Sequence, residues 1–91
     1  MPGNKYTIEY LGSVVDEDII ALPKLAKRQI QKAIEERLTV DPIGFGKPLR
    51  FSLKGHRRLR VGDYRVVYRI EVENNSVLVI AIKHRKDIYE E

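Results

Sequence analysis

The sequence predicts an α+β domain in which a helical hairpin packs on one face of a mainly antiparallel four-stranded sheet. Apolar residues recur at helical spacing between residues 15 and 38, whereas they alternate with polar residues over residues 58–72. A short alternating segment precedes the helices, so the predicted element order is β-α-α-β-β-β. Two amphipathic helices can bury their apolar stripes only by packing against the sheet, which makes residues 1–91 one domain with a single core.

The first strand and the first helix are predicted within the N-terminal 22 residues. Residues 5–10 alternate and are rich in residues that favour strands. Ser13 is a suitable N-cap, and the acidic residues at 16–18 favour the start of a helix. We expect Val15, Ile19 and Leu22 to form its buried stripe. Consecutive helical residues point in different directions, so a solvated first turn explains the three acids better than a metal site does.

A second helix is predicted from Pro23 to about Leu38. Proline suits the first turn of a helix, and Asp41 is disfavoured in the helical region because Pro42 follows it. Residues 43–48 are predicted to be a loop, and residues 49–53 a short strand or an extended lead-in. The apolar stripe of this helix is expected to comprise Leu22, Ala26, Ile30, Ala33, Ile34 and Leu38.

Residues 58–70 carry the feature that points to function, a hairpin with Gly62-Asp63 as its two-residue turn. This turn sets Arg60 opposite Arg65 on neighbouring strands. Two arginines directly opposite each other repel, and a sheet with only a structural role favours Thr, Glu or Gln at one of these places. The repulsion indicates a surface that receives negative charge, such as phosphate.

A second hairpin is predicted with Asn74-Asn75 as its two-residue turn, which pairs Glu73 with Ser76. Counting back along the strands places His84 opposite Arg65, so that Arg60, Arg65 and His84 form one row. Residues 76–82 are apolar on both faces, which is typical of a central strand covered on both sides.

Charge and composition narrow the class of partner. Residues 1–49 contain seven Lys/Arg and seven Asp/Glu, whereas residues 50–91 contain ten against six, so the net charge of +4 lies in the C-terminal half. Such a distribution favours a polyanionic partner, above all nucleic acid. The absence of cysteine excludes disulfides and thiol nucleophiles. No apolar run reaches the roughly 18 residues of a membrane span, so we expect a cytoplasmic protein without membrane contacts.

The basic residues suit phosphoryl transfer without a metal ion or other cofactor. Arginine guanidinium groups can hold a phosphodiester and stabilise the charge that develops on it, while a tyrosine or histidine moves a proton. On RNA the 2′-OH supplies the nucleophile, so the protein needs to provide only position, charge and proton transfer. A non-catalytic nucleic-acid-binding face and an ordinary solvated sheet surface are the alternatives that the residues leave open.

Two motifs, residues 59–68 (LRVGDYRVVY) and residues 82–89 (IKHRKDIY), together resemble the RelE branch of the RelE/ParE toxin superfamily. The resemblance implies the toxin of a type II toxin–antitoxin pair, an endoribonuclease that cleaves mRNA in the ribosomal A site by attack of the 2′-OH. It also implies no metal at the catalytic centre, the ribosome and mRNA as partners, and a RelB-like antitoxin in a hetero-oligomer. A ParE-like poison of DNA gyrase and a non-catalytic nucleic-acid-binding module are the alternatives.

The resemblance also assigns site residues by their positions in the two motifs. Arg58 and Arg60 stand where lysine is familiar in the family, and arginine keeps its proton where lysine can lose it. The proton acceptor is therefore expected to be Tyr89 or His84. The implied catalytic residues are Arg58, Arg60, Arg65, Arg85 and Tyr89. Further residues expected to bind RNA or support the site are His84, Lys83, Arg57, Lys54 and Arg69.

Overall fold

A computed structural model describes residues 5–50 and 53–87, which form a five-stranded sheet with helices on one face. The strand order is β1-β5-β4-β3-β2, with β1 parallel to β5 and the other neighbours antiparallel. The strands are β1 (Thr7–Tyr10), β2 (Lys47–Pro48), β3 (Arg57–Val61), β4 (Tyr64–Glu71) and β5 (Ser76–His84). The predicted α+β class is confirmed. The sheet has five strands because two residues of the predicted loop add an edge strand.

The first helical segment, Val14–Asp18, has π-helical geometry, with the Ile19 amide donating to the Val14 carbonyl at 2.8 Å. Ser13 occupies the predicted N-cap position of this segment, but its side chain makes no capping hydrogen bond. The residues that this segment buries are Val14 and Asp18, whereas Val15 is 48% exposed. The predicted stripe is therefore wrong at Val15, because the segment turns the side chain of residue 14 to the sheet.

The main helix, α1, spans Lys24–Ala33 and continues as a π-helical segment, Ile34–Leu38. Its predicted stripe is confirmed by the burial of Ile30, Ala33, Ile34 and Leu38. One further turn, α2 (Pro42–Phe45), begins at Asp41, whose side chain accepts a hydrogen bond from the Gly44 amide at 2.9 Å. No helix in the described part of the chain is long and apolar enough to cross a membrane.

The core lies between these helices and one face of the sheet. Each large apolar side chain that is fully buried there contributes about 1.5–3 kcal/mol relative to an exposed one. Tyr68 at the centre of β4 is fully buried, and its hydroxyl donates to the Pro42 carbonyl, which fixes α2 against the sheet. The helical residues of the core are Val14, Ile30, Ala33, Ile34 and Leu38, and the strand residues are Leu59, Val66, Tyr68, Val77, Val79 and Ile82.

The first predicted hairpin is confirmed in detail. Val61 lies opposite Tyr64 and Arg60 opposite Arg65, around a two-residue turn in which Gly62 has a φ of 57°. A positive φ is readily adopted by glycine, which explains the residue at this place.

The predicted register of the second hairpin is wrong. Ser76 pairs with Glu71, because Val72–Asn74 form a 3₁₀ turn that Asn75 ends with a φ of 52°. A register shift between Val67 and Tyr68 then reduces the difference between the observed and the predicted pairing of β4 with β5. The residue opposite Arg65 is consequently Lys83, and His84 lies opposite Tyr64.

Candidate functional site

The face of the sheet that points away from the helices carries a cluster of cations. Directly opposed residues share a face, and Arg58 is opposite Lys47 just as Arg65 is opposite both Arg60 and Lys83. Residue 69 falls on the same face by the alternation of β4. We call this surface the basic face; it comprises Lys47, Arg58, Arg60, Arg65, Arg69 and Lys83.

The centre of the basic face is a row of three residues on three strands, Arg60, Arg65 and Lys83, which we call the basic row. Arg65 is only 5% exposed, and its Nη1 donates to the carbonyls of Gly62 at 3.3 Å and Tyr64 at 3.1 Å. The guanidinium is thus folded over the hairpin turn and held there by backbone oxygens.

Burial, and then repulsion from Arg60, Arg58 and Arg85, lowers the pKa of Arg65, while Asp63 partly offsets the effect. The pKa of Arg58 is lowered by burial and then by Arg60. Arginine nevertheless stays charged at any pH a folded protein meets. The chain therefore holds several permanent cations in mutual repulsion, and a bound phosphate would relieve it.

Lys47 is a member of the basic face that sequence reasoning missed. It is exposed on β2 and lies directly opposite Arg58. A strand of two residues is too short to show an alternating pattern in the sequence. The proline that follows Lys47 also argues against a strand, except at a sheet edge, which is where β2 lies. Only the paired structure places this lysine beside the arginines.

The end of β5 brings the predicted residue Arg85 to the hairpin turn. Its amide donates to the Asp63 carbonyl at 2.7 Å, and its Nε lies 3.7 Å from Asp63 Oδ1. Arg85 is close enough to contribute to the lowered pKa of Arg65, so the structure brings these two predicted residues together. Tyr89, the predicted tyrosine of the same motif, lies outside the described residues.

His84 does not join the basic row, so the predicted row of Arg60, Arg65 and His84 is wrong. Its ring packs edge-on against Tyr64, with centroids 5.3 Å apart and an interplanar angle of 79°. Its Nδ1 accepts a hydrogen bond from the Lys86 amide at 3.2 Å. The longer turn and the register shift described above explain why Lys83, and not His84, lies opposite Arg65.

Three other predicted residues are spread around the sheet. Arg57 pairs with Tyr68 and so faces the core side, where its Nη2 donates to the carbonyls of Ile43 at 2.8 Å and Gly46 at 3.1 Å. Lys54 lies in the turn before β3. Arg69 is on the basic face but about 13 Å along β4 from Arg65, and it forms an ion pair with Glu71 at 3.1 Å.

The acidic residue Asp18 reaches the end of β5, which the sequence did not indicate. It is 9% exposed; its Oδ1 lies 2.8 Å from Lys83 Nζ, and its Oδ2 accepts a hydrogen bond from the Ile82 amide at 2.9 Å. The expected solvated turn is therefore wrong for this residue. Among residues 5–50 and 53–87, no group of three or more His, Asp or Glu side chains is placed to hold a metal ion.

Comparison with known protein families and sequences relates this chain to toxins in each case. Residues 14–89 match the family described as the ParE toxin of the type II toxin–antitoxin system parDE. Toxin RelG of Mycobacterium tuberculosis is 33% identical over 84 residues, covering 92% of this chain and 95% of RelG. Toxin RelE of the same organism is 36% identical over 72 residues, covering 79% of this chain and 74% of that toxin.

Solved structures agree with the sequence relatives. The toxin–antitoxin complex RelBE2 from M. tuberculosis contains a chain with 31% identity and a TM-score of 0.83, covering 89% of this chain and 92% of that one. The isolated Escherichia coli RelE toxin, at 20% identity, shares the fold with a TM-score of 0.71 over 87% of this chain and 83% of its own. This chain is therefore a member of the RelE/ParE superfamily, the toxins of type II toxin–antitoxin systems.

Proposed function

We propose that this toxin is a ribosome-dependent endoribonuclease that cleaves mRNA in the A site without a metal ion. The observation that supports the proposal most is the basic row, with Arg85 tied to the hairpin turn beside it. A sheet that served only to build the fold would gain stability by losing one of the opposed arginines. The similarity to a toxin named RelE supports the same activity.

In the proposed reaction the 2′-oxygen of a nucleotide attacks the adjacent phosphorus, and the bond from phosphorus to the 5′-oxygen breaks. The proton of the 2′-OH passes to an acceptor, and the leaving 5′-oxygen takes up a proton. Arg60 and Arg65 are suited to hold the phosphate and to stabilise its extra negative charge in the transition state. Arginine does not release its proton, and His84 packs against Tyr64 outside the basic row, so Tyr89 is proposed as the acceptor.

We further propose that the toxin works in the cytoplasm as a single domain and is neutralised by a RelB-like antitoxin in a hetero-oligomer. The RelBE2 neighbour is itself a toxin–antitoxin complex, which supports such a partner. An antitoxin with acidic residues would complement the charge of the basic face.

The test is to add the purified protein to translating ribosomes and to map new mRNA 5′ ends by primer extension. The wild type is expected to cut within A-site codons, and Arg65→Ala is expected to abolish the cuts while the circular dichroism spectrum stays native. Arg28→Ala is the matched control, because it removes the same charge from an exposed position on α1. A folded Arg65→Ala protein that still cleaves would overturn the role of the row, and a folded wild type that makes no cuts would overturn the proposed activity.

A second candidate function is poisoning of DNA gyrase, which is favoured by the match to the ParE family. A supercoiling assay with purified gyrase separates the two activities. Inhibition of supercoiling by wild type and Arg65→Ala alike, without cuts in mRNA on ribosomes, would favour the gyrase activity over RNA cleavage.

A further inference from the structure

We propose that Asp18 is a positioning residue, which holds the end of β5 and thereby sets the places of Lys83 and Arg85 relative to Arg60 and Arg65. The inference rests on the proposed RNA cleavage for its kinetic test, but its structural test is independent of that activity. Asp18 does not itself lie on the basic face, since it reaches β5 from the helical side.

The first step concerns the backbone of β5. The pairing of β5 with β1 ends at Tyr10, which is opposite Val79, so within residues 5–50 and 53–87 no strand flanks the following residues of β5 on that side. The Ile82 amide points to this open edge, and Asp18 Oδ2 accepts its hydrogen bond at 2.9 Å. A buried amide without such a partner would lose its hydrogen bond to water without replacing it, which disfavours the folded state. Asp18 thus replaces the missing strand at this position.

The second step concerns the charge of Lys83. Lys83 lies directly opposite Arg65, yet its ammonium is 2.8 Å from Asp18 Oδ1 on the other side of the strand. This ion pair raises the pKa of Lys83, first through the hydrogen bond to Asp18. Asp18 therefore fixes the ammonium of the third residue of the basic row at the edge of β5.

The third step links Asp18 to Arg85. Only two residues separate Ile82 from Arg85, whose amide donates to the Asp63 carbonyl at the hairpin turn. The final residues of β5 are consequently held between Asp18 on one side and Asp63 on the other. A displacement of about 1 Å at a catalytic group can lower a rate by about 100-fold, so release of one of these contacts should be visible in the kinetics.

The experiment compares three full-length variants, Asp18→Ala, Asp18→Asn and Asp16→Ala. Asp16 is exposed in the same helical segment, so Asp16→Ala removes an equal charge and serves as the control. The single-turnover rate of mRNA cleavage on ribosomes is expected to fall about 10-fold to 100-fold in Asp18→Ala. Asp18→Asn should give an intermediate rate, because its amide oxygen can still accept from Ile82 while the ion pair with Lys83 is lost.

A role limited to stability would lower the fraction of active protein, and so the amplitude of the reaction, without changing the rate constant. Native-state hydrogen exchange of the Ile82 and Arg85 amides gives the test that does not depend on cleavage. Both amides should exchange faster in Asp18→Ala than in the wild type or in Asp16→Ala. Unchanged exchange at both amides would overturn the inference, as would faster exchange with an unchanged rate constant. If the wild type makes no cuts, the proposed activity fails and the exchange data alone decide the inference.

Discussion

Replacing Arg60 with glutamine is expected to stabilise the fold while it weakens RNA cleavage. Arg60 lies directly opposite Arg65, which is 5% exposed and whose guanidinium is held by the carbonyls of Gly62 and Tyr64. Burial and then Arg60 are the largest causes of the lowered pKa of Arg65, so the folded state holds this charge at a cost that the unfolded chain does not bear. Glutamine keeps a long polar side chain on the strand but removes the repulsion.

The size of the gain follows from the geometry of the pair. Cross-strand neighbours contribute about 0.2–1 kcal/mol, and like charges act in the unfavourable direction. For a domain of this length, that range corresponds to a rise in Tm of about 1–8 °C. A lowered pKa on a base destabilises the fold as long as the base is charged, and arginine is charged throughout the accessible range. The gain should therefore depend on salt and not on pH.

The assay is thermal unfolding of the wild type and of Arg60→Gln at low salt and at about 1 M salt. At the higher concentration the Debye length is about 3 Å, so the repulsion between the two arginines is largely screened. The gap in Tm should narrow as salt rises. Arg69→Gln is the matched control: it lies on the same face, but its guanidinium pairs with Glu71 at 3.1 Å, so its loss should not raise the Tm. A lower Tm for Arg60→Gln than for the wild type at low salt would refute the reasoning.

Two further predictions concern β2 and the glycine that precedes it. Gly46→Ala should lower the free energy of unfolding by about 1–3 kcal/mol in urea denaturation, since a Cβ there would overlap the buried Tyr68 hydroxyl and lie 3.0 Å from the Arg58 carbonyl oxygen. An unchanged midpoint would contradict this packing. Lys47→Gln should weaken the binding of single-stranded RNA and reduce the salt slope by about 1, measured by fluorescence anisotropy against Lys32→Gln on α1. Equal slopes for the two variants would exclude Lys47 from the binding face.

The parts of the fold that local chemistry determines could be predicted from the sequence. A two-residue turn with glycine at a positive φ fixes the register of its hairpin, and this is why Arg60 could be placed opposite Arg65. The stripe of α1 was predictable for the same reason, since four apolar positions at helical spacing can face only one way.

The parts of the site that the sequence did not indicate depend on distant contacts or on irregular backbone. Lys83 lies opposite Arg65 in place of His84 because of a 3₁₀ turn and a register shift. Neither feature produces a recognisable pattern in the sequence. Asp18 contacts Ile82 and Lys83, which lie 64 and 65 positions further along the chain. Its sequence neighbours are exposed acidic residues. No periodicity distinguishes the buried carboxylate from the solvated ones.

The opposed arginines and the buried carboxylate lie at the same end of the sheet, and that coincidence bears on function. Sequences that fold well satisfy local rules nearly everywhere and depart from them mainly at functional sites. Here two opposed arginines lie beside the hairpin turn and a buried carboxylate holds the end of β5 next to them, while a register shift in the middle of β5 decides which residue lies opposite Arg65. The backbone carbonyls that hold Arg65 and the carboxylate that holds Lys83 fix these cations in place without removing the charge of Arg60 beside them. A phosphate bound between Arg60 and Arg65 would offset their mutual repulsion, so the pair of like charges that costs the fold stability would strengthen its complex with RNA.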